Sequence, residues 1–208
     1  MNETFEMKDS EPGRMNTRDM VGLSNIILAP YMQLAWNLVG RPRASGENVF
    51  RHSVHTLGIL INYRYISPIL LKASLVHDIL REIPDFDESA IKNADEDGEK
   101  VLALVRELTH DRKTETRAEF FKRIIRNGTF DAKLILIASR LDSLENLGYT
   151  TDEKSIEEYC MDTELYVLPL ALQVNAYMYD ELISFINSRR RFLGGKEFYF
   201  CPARKKHS

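Results

Sequence analysis

Three residues able to hold a divalent ion stand in two stretches: His52 in "VFRHSVHTLGILINYRY", and the adjacent His77 and Asp78 in "SLVHDILREIP". Imidazole with carboxylate suits Mn, Fe or Zn, and an ion so held makes bound water acidic enough to attack as hydroxide. On a helix His77 and Asp78 would stand about 100° apart around the axis, close enough to address one ion against a facing helix. The next turn brings Arg81 and Glu82, a cation where a metal centre seldom has one. Arg81 could hold a phosphate, neutralise Asp78 one turn back, or serve the fold alone. His55 lies one helical turn beyond His52 and could support it or simply pack. A second pair, His110 and Asp111, ends a helical stretch before "RKTET" and reads as a surface feature; His207 belongs to the C-terminal end.

Helices must position these groups. Apolar residues recur at helical spacing through "RDMVGLSNIILAPYMQLAWNLVG", which predicts one helix capped at Thr17 and kinked near Pro30. "RPRASGEN" reads as a loop before the helix that carries His52. Ser67 followed by Pro68 is a helix start, and the helix predicted from it reaches about Arg81. Asp87 opens a short helix, "DEDGEKVLALVRELTHD" forms another, and "KTETRAEFFKRIIRNG" is amphipathic and stops at Asn127-Gly128. Asp131 is the expected cap of "AKLILIASRLDSLENLG", and Asp152 to Arg191 is again helical with a bend at Pro169. With no stretch that alternates like a strand and no glycine-rich phosphate loop, the expectation is an all-α domain over residues 17–188. A flexible segment, 1–16, precedes it and a basic tail, 189–208, follows.

Composition narrows the function. A chain of 208 residues with 44 % hydrophobic and 28 % charged residues can bury a core of its own. A net charge of -3 argues against a general nucleic-acid binder, because phosphate-backbone binding needs clustered cations. Cys160 and Cys201 are solitary, which points to a reducing, cytoplasmic setting and away from a zinc ribbon or disulfide framework. No apolar run reaches the roughly 20 residues a membrane span needs. Aromatics in "YMYDELISFI" and "FYF" could face either the core or a second copy in a homo-oligomer.

Over roughly residues 25 to 180 the sequence resembles the HD-domain alarmone hydrolases, the RelA/SpoT-homologue hydrolase domain and especially its small single-domain versions. "RPRASGENVFRHSV" looks like the family's basic residue, Ser-Gly-Glu and following His. "ASLVHDILREIPDFDESAI", "LVRELTHDRK", "AKLILIASRLDSLENL" and "DTELYVLPLAL" are similar to four further family motifs, in the same order. The resemblance implies an HD-type helical bundle and Mn²⁺-dependent removal of the 3′-pyrophosphate from ppGpp and pppGpp. It implies metal ligation by His52, His77 and Asp78, and guanine contact by Arg43, with Arg140 and Ser143 as further candidate substrate contacts.

The departures from the family lie in the same cleft. Its fourth metal ligand, an Asp, is Ser139 here; its substrate-facing Asn is Ser143; its acidic pair after His-Asp is Arg81 and Glu82. Asp142, three residues after Ser139 and on nearly the same helical face, could supply the missing carboxylate if the ion or helix shifted by roughly 4.5 Å. Glu82 could serve as base and Arg81 could hold a phosphate. Two functions follow: a divergent metal-dependent phosphohydrolase for (p)ppGpp or a related nucleotide, or an inactive relative that senses nucleotide or binds a protein.

Overall fold

A computed structural model of the chain describes residues 12–43, 47–147 and 152–193. It is all-α: among the described residues the one extended pairing is an isolated bridge between Pro42 and Asn48. Residues 1–11 of the expected lead-in fall outside the described residues, as do "FYF" and most of the basic tail.

The first predicted helix is two. Asn16, one residue before the expected Thr17, caps α1 (Thr17–Ser24), its side chain accepting from the Asp19 N–H. The chain restarts as α2 (Ala29–Ala35) because Pro30, in the first turn, has no N–H to give to a preceding turn. A 3₁₀ turn, Trp36–Leu38, leads to the loop before α3 (Val49–Asn62). Next, α4 (Pro68–Val76) is shorter than predicted. His77 is its C-cap and Asp78 precedes the single turn α5 (Ile79–Glu82), so the His-Asp pair sits in a break between helices. That break points both side chains inward, and both residues are buried.

Two short helices follow, α6 (Glu88–Lys92), capped by Asp87 as expected, and α7 (Gly98–Leu108). A reciprocal Thr116/Glu119 capping box starts α8 (Arg117–Asn127). The cap of α9 (Phe130–Asn146) is Thr129 and not Asp131, since the Thr129 hydroxyl accepts from the Ala132 N–H at 3.2 Å. The remaining helices are α10 (Glu153–Asp162), α11 (Leu168–Val174) and α12 (Ala176–Phe192). The bend expected at Pro169 takes the form of a π turn, Thr163–Val167, which absorbs the bond that proline cannot make.

Helix α9 is the axis of the molecule, packed by α3, α4, α7, α11 and α12. Apolar side chains cover it nearly all round, as a central helix requires, and its buried positions include Arg140, Asp142 and Ser143. Most of "YMYDELISFI" belongs to this core: Met178, Tyr179, Leu182 and Ile186 are buried, and Tyr177 alone of the large apolar residues is exposed there. The expected tail also begins as structure. Arg189 donates to the carbonyls of Leu147 and Glu145, and Arg190 pairs with Glu157 at 3.0 Å and Glu164 at 2.6 Å.

Candidate metal centre and the arginine-lined cavity

His52 from α3, His77 and Asp78 from the α4–α5 break, and Ser139 from α9 meet at one point. Ligand atoms of His52, His77 and Asp78 lie within 4.8 Å of one another, all buried. The Nδ1–H of His77 donates to the Ser74 carbonyl at 2.7 Å, which fixes the tautomer and leaves Nε2 as a lone pair. That Nε2 is buried and has no hydrogen-bond partner, and it stands 3.5 Å from Asp78 Oδ1.

His52 is set up in the same way by a different group. Its Nδ1–H donates to Asp142 Oδ2, in a short contact. An ion pair alone would raise the imidazole pKa; here burial, with Arg43 adding to it, outweighs Asp142 and lowers it to about 4. The ring is therefore neutral near pH 7, with its Nε2 lone pair turned to the Ser139 hydroxyl at 3.0 Å and Asp78 Oδ2 at 3.8 Å. A carboxylate behind a histidine whose other nitrogen is free is how metal-binding histidines are commonly oriented.

Asp142 thus stands behind the His52 ring and not beside His77 and Asp78. Its carboxylate, fully buried, also accepts from His55 Nδ1 and Asn146 Nδ2, each at 3.0 Å, and lies 3.4 Å from Arg43 Nη1. Burial would raise its pKa, but His52 and Arg43 hold it below the usual range. A second trio, Glu47, His52 and Asp142, also clusters, but on a side where Arg43 already supplies a cation to both carboxylates.

Arg81 has taken one oxygen of Asp78. Its Nη2 donates to Asp78 Oδ2 at 2.7 Å and its Nε to Glu82 Oε1 at 2.9 Å. Burial would push the Asp78 pKa up; the Arg81 guanidinium, bonded to it, keeps it far below the carboxylate range. Of the three roles open to Arg81, neutralising Asp78 is the one formed. Glu82 does not line the cavity beyond Asp78, and its backbone carbonyl is held by Arg41 at 2.7 Å.

That cavity, about 420 Å³, opens over His77, Asp78 and Ser139. Five arginines line it, Arg43, Arg81, Arg112, Arg117 and Arg140, against one carboxylate, Asp78. Arg43 donates to the Ser143 hydroxyl at 2.9 Å, and that hydroxyl donates to the Ser139 carbonyl, so Ser143 anchors Arg43. Arg140 is buried, its guanidinium 4.0 Å from the Tyr159 ring centroid and 5.2 Å from that of Phe121. His110 corrects the surface reading: the turn after α7 folds back, so that its ring lies 5.2 Å from Phe120 on the cavity wall and its Nε2–H donates to the Glu115 carbonyl. Arg112, Arg117 and Tyr159 were not singled out from sequence. They come from three separate segments and no local pattern marks them.

No family profile and no curated protein sequence matches the chain. A solved structure does: that of a metazoan orthologue of SpoT that hydrolyses ppGpp and plays a role in starvation responses, with a TM-score of 0.62 and 21 % identity. The match covers 85 % of this chain and 98 % of that one. The chain shares the all-α fold of that structure. The motif resemblance and this match agree on architecture, and no helix among the described residues is long and apolar enough to cross a membrane.

Proposed function

We propose that the chain is a divergent HD-type phosphohydrolase acting on (p)ppGpp or a related phosphorylated nucleotide. The observation that carries this reading is the His77 Nε2: a buried lone pair without a partner, aimed at the same point as His52 Nε2 and Asp78. A buried polar atom left unsatisfied costs about 1–3 kcal/mol, so its persistence marks a place for a ligand atom. The donors fit a divalent ion such as Mn²⁺, which His52, His77 and Asp78 would hold. Bound there it would supply an acidified water and charge neutralisation at a phosphoryl oxygen.

The protein's own groups do the rest. Asp142 and the Ser74 carbonyl fix both imidazoles with their lone pairs forward. Arg43, anchored on Ser143, holds the base and Arg140 the phosphate chain, and the wall of Phe120, Phe121 and Tyr159 excludes water from it. Arg81 lines the cavity beside Asp78, on the side where the phosphate would sit, and Glu82, which does not line the cavity, serves as the second partner of Arg81.

A specific observation favours the second reading, a non-hydrolysing nucleotide sensor. Arg81 sits on Asp78 at 2.7 Å and Ser139 contributes only a hydroxyl, so the cluster is short of negative charge. Release of pyrophosphate from ppGpp with Mn²⁺ present, lost in His77→Ala, supports hydrolysis. Binding of ppGpp with no turnover under any divalent ion would leave the sensor.

A further inference from the structure

A second cavity, of about 860 Å³, lies between α1, the α3–α4 turn and the start of α9, and shares no lining residue with the cavity over His77 and Asp78. Four of its side chains are charged: Arg18, Asp19, Arg64 and Asp131. Among the described residues none of these four side chains forms an ion pair or a hydrogen bond. Arg18 is exposed and water serves it, but Arg64 and Asp131 are partly buried. The Nε of Arg64 is fully buried without a partner, although buried polar atoms in native proteins are nearly always bonded. Asp131 has a carboxylate for a neighbour and no cation: burial, with Glu107 adding to it, raises its pKa. Glu107 itself belongs to the cap of α9, where it accepts from the Thr129 hydroxyl at 2.9 Å.

Arg64 also bears backbone strain. It takes φ 60° directly after the cap of α3, a left-handed position that glycine commonly fills, and is the one non-glycine with positive φ among the described residues. Glycine would turn the chain there with less strain, whereas arginine puts a guanidinium on the cavity wall. The rest of the lining is largely apolar and aromatic. Leu70 and Leu134 are buried, and Phe130, 40 % exposed, meets the Tyr65 ring edge-on at 6.2 Å between centroids. The Tyr65 hydroxyl accepts from Asn175 Nδ2 at 2.9 Å, which fixes that ring. Helix α1 has no buried residue of its own and comes against the turn at Gly22, where an added Cβ would stand 3.4 Å from Ile66. A ligand in the cavity would add buried contact to that helix.

We propose that this cavity is a ligand site separate from the metal centre, for a small zwitterion with an aromatic body: Asp131 takes its cationic group, Arg64 its carboxylate, and Phe130 and Tyr65 its ring. One charge alone does not fit. An anion would leave Asp131 unmatched and a cation would leave Arg64 so, whereas a molecule carrying both charges satisfies both residues. An ammonium beside the Phe130 ring also gains from the face of its π-system. The volume lies within the range of small-molecule sites. The site stands whether or not the chain hydrolyses a nucleotide.

The test is a ligand-observed NMR titration of the full chain with L-phenylalanine, and with phenethylamine and phenylpropionate, which carry one of its charges each. Wild type, Arg64→Gly and Asp131→Asn are compared. Saturable binding of phenylalanine by wild type is expected, weakened at least about tenfold in either variant, the worth of one charge-assisted hydrogen bond. Both analogues should bind more weakly than phenylalanine, and each should lose further affinity only in the variant that removes its own partner. Arg64→Gly relieves the left-handed strain, so it should fold with a melting temperature close to that of wild type. Amide hydrogen exchange in α1 should slow when phenylalanine is bound. Unchanged phenylalanine affinity in excess Mn²⁺ and ppGpp supports a separate site; displacement by them places the ligand in the other cavity and overturns the proposal. No saturable binding, equal affinity in wild type and both variants, or an analogue as tight as phenylalanine would each overturn it. If one variant does not fold, unchanged affinity in the other is the overturning result.

Discussion

Asp142→Asn tests the support behind the site. In the folded protein the Asp142 carboxylate is fully buried and accepts from His52, His55 and Asn146, with Arg43 3.4 Å away. Donors converge on both oxygens, so asparagine must turn its NH₂ toward one of them: toward His52 on one side, or toward His55 and Asn146 on the other. The substitution also removes the charge that Arg43 faces. Removing one partner of a buried charged pair costs about 3–5 kcal/mol. For a chain of this size that lowers the melting temperature by roughly 6–20 °C. Urea unfolding followed by circular dichroism measures it directly, with an unchanged m-value confirming that the unfolded state is unaltered. His55→Ala is the control: its side chain is 43 % exposed and its loss should cost no more than about 0.5 kcal/mol. A loss below about 1 kcal/mol for Asp142→Asn, or one equal to that of His55→Ala, would refute the idea that this carboxylate organises the site.

Arg81→Ala frees an oxygen of Asp78 and should raise divalent-ion affinity about tenfold, the worth of one charge-assisted hydrogen bond at a partly exposed side chain; weaker ion binding would contradict the counterion role. In metal-free protein, stability should fall as pH drops from 6.5 toward about 4, because the unfolded chain protonates His52 where the buried ring does not. The loss is at most about 3 kcal/mol, and a slope that survives in His52→Gln would assign it elsewhere. Cys160 is buried and its thiol is pushed up to about 11 by that burial. In a Cys201→Ser variant it should react with a thiol reagent only as the protein unfolds, and rapid labelling of native protein would contradict its placement.

The sequence made the helices legible because their apolar spacing is regular and their ends carry strong signals, such as Asp87 before α6 and Asn127-Gly128 after α8. Where two caps competed, the local signal erred by one or two residues, as with Thr17 against Asn16 and Asp131 against Thr129. The break at His77 and Asp78 was invisible, since "SLVHDILRE" has unbroken helical periodicity and only tertiary packing ends α4 at Val76. His52, His77 and Asp78 could be named in advance because the resemblance rests on short motifs. The placement of Asp142 could not: three residues of helix turn a side chain enough to move it from one nitrogen of His52 to the other. The arginine wall was the least legible part. Arg117 follows a capping threonine and Arg140 lies mid-helix; nothing in their neighbourhoods says that one cavity collects both.

The most direct measurement is calorimetric Mn²⁺ binding to metal-stripped protein, with His77→Ala titrated alongside. One specific site, lost in the variant, is the expected result and would establish that the lone pair at His77 Nε2 is a ligand in use. No specific binding by the wild type, or equal binding in the variant, would contradict the metal centre.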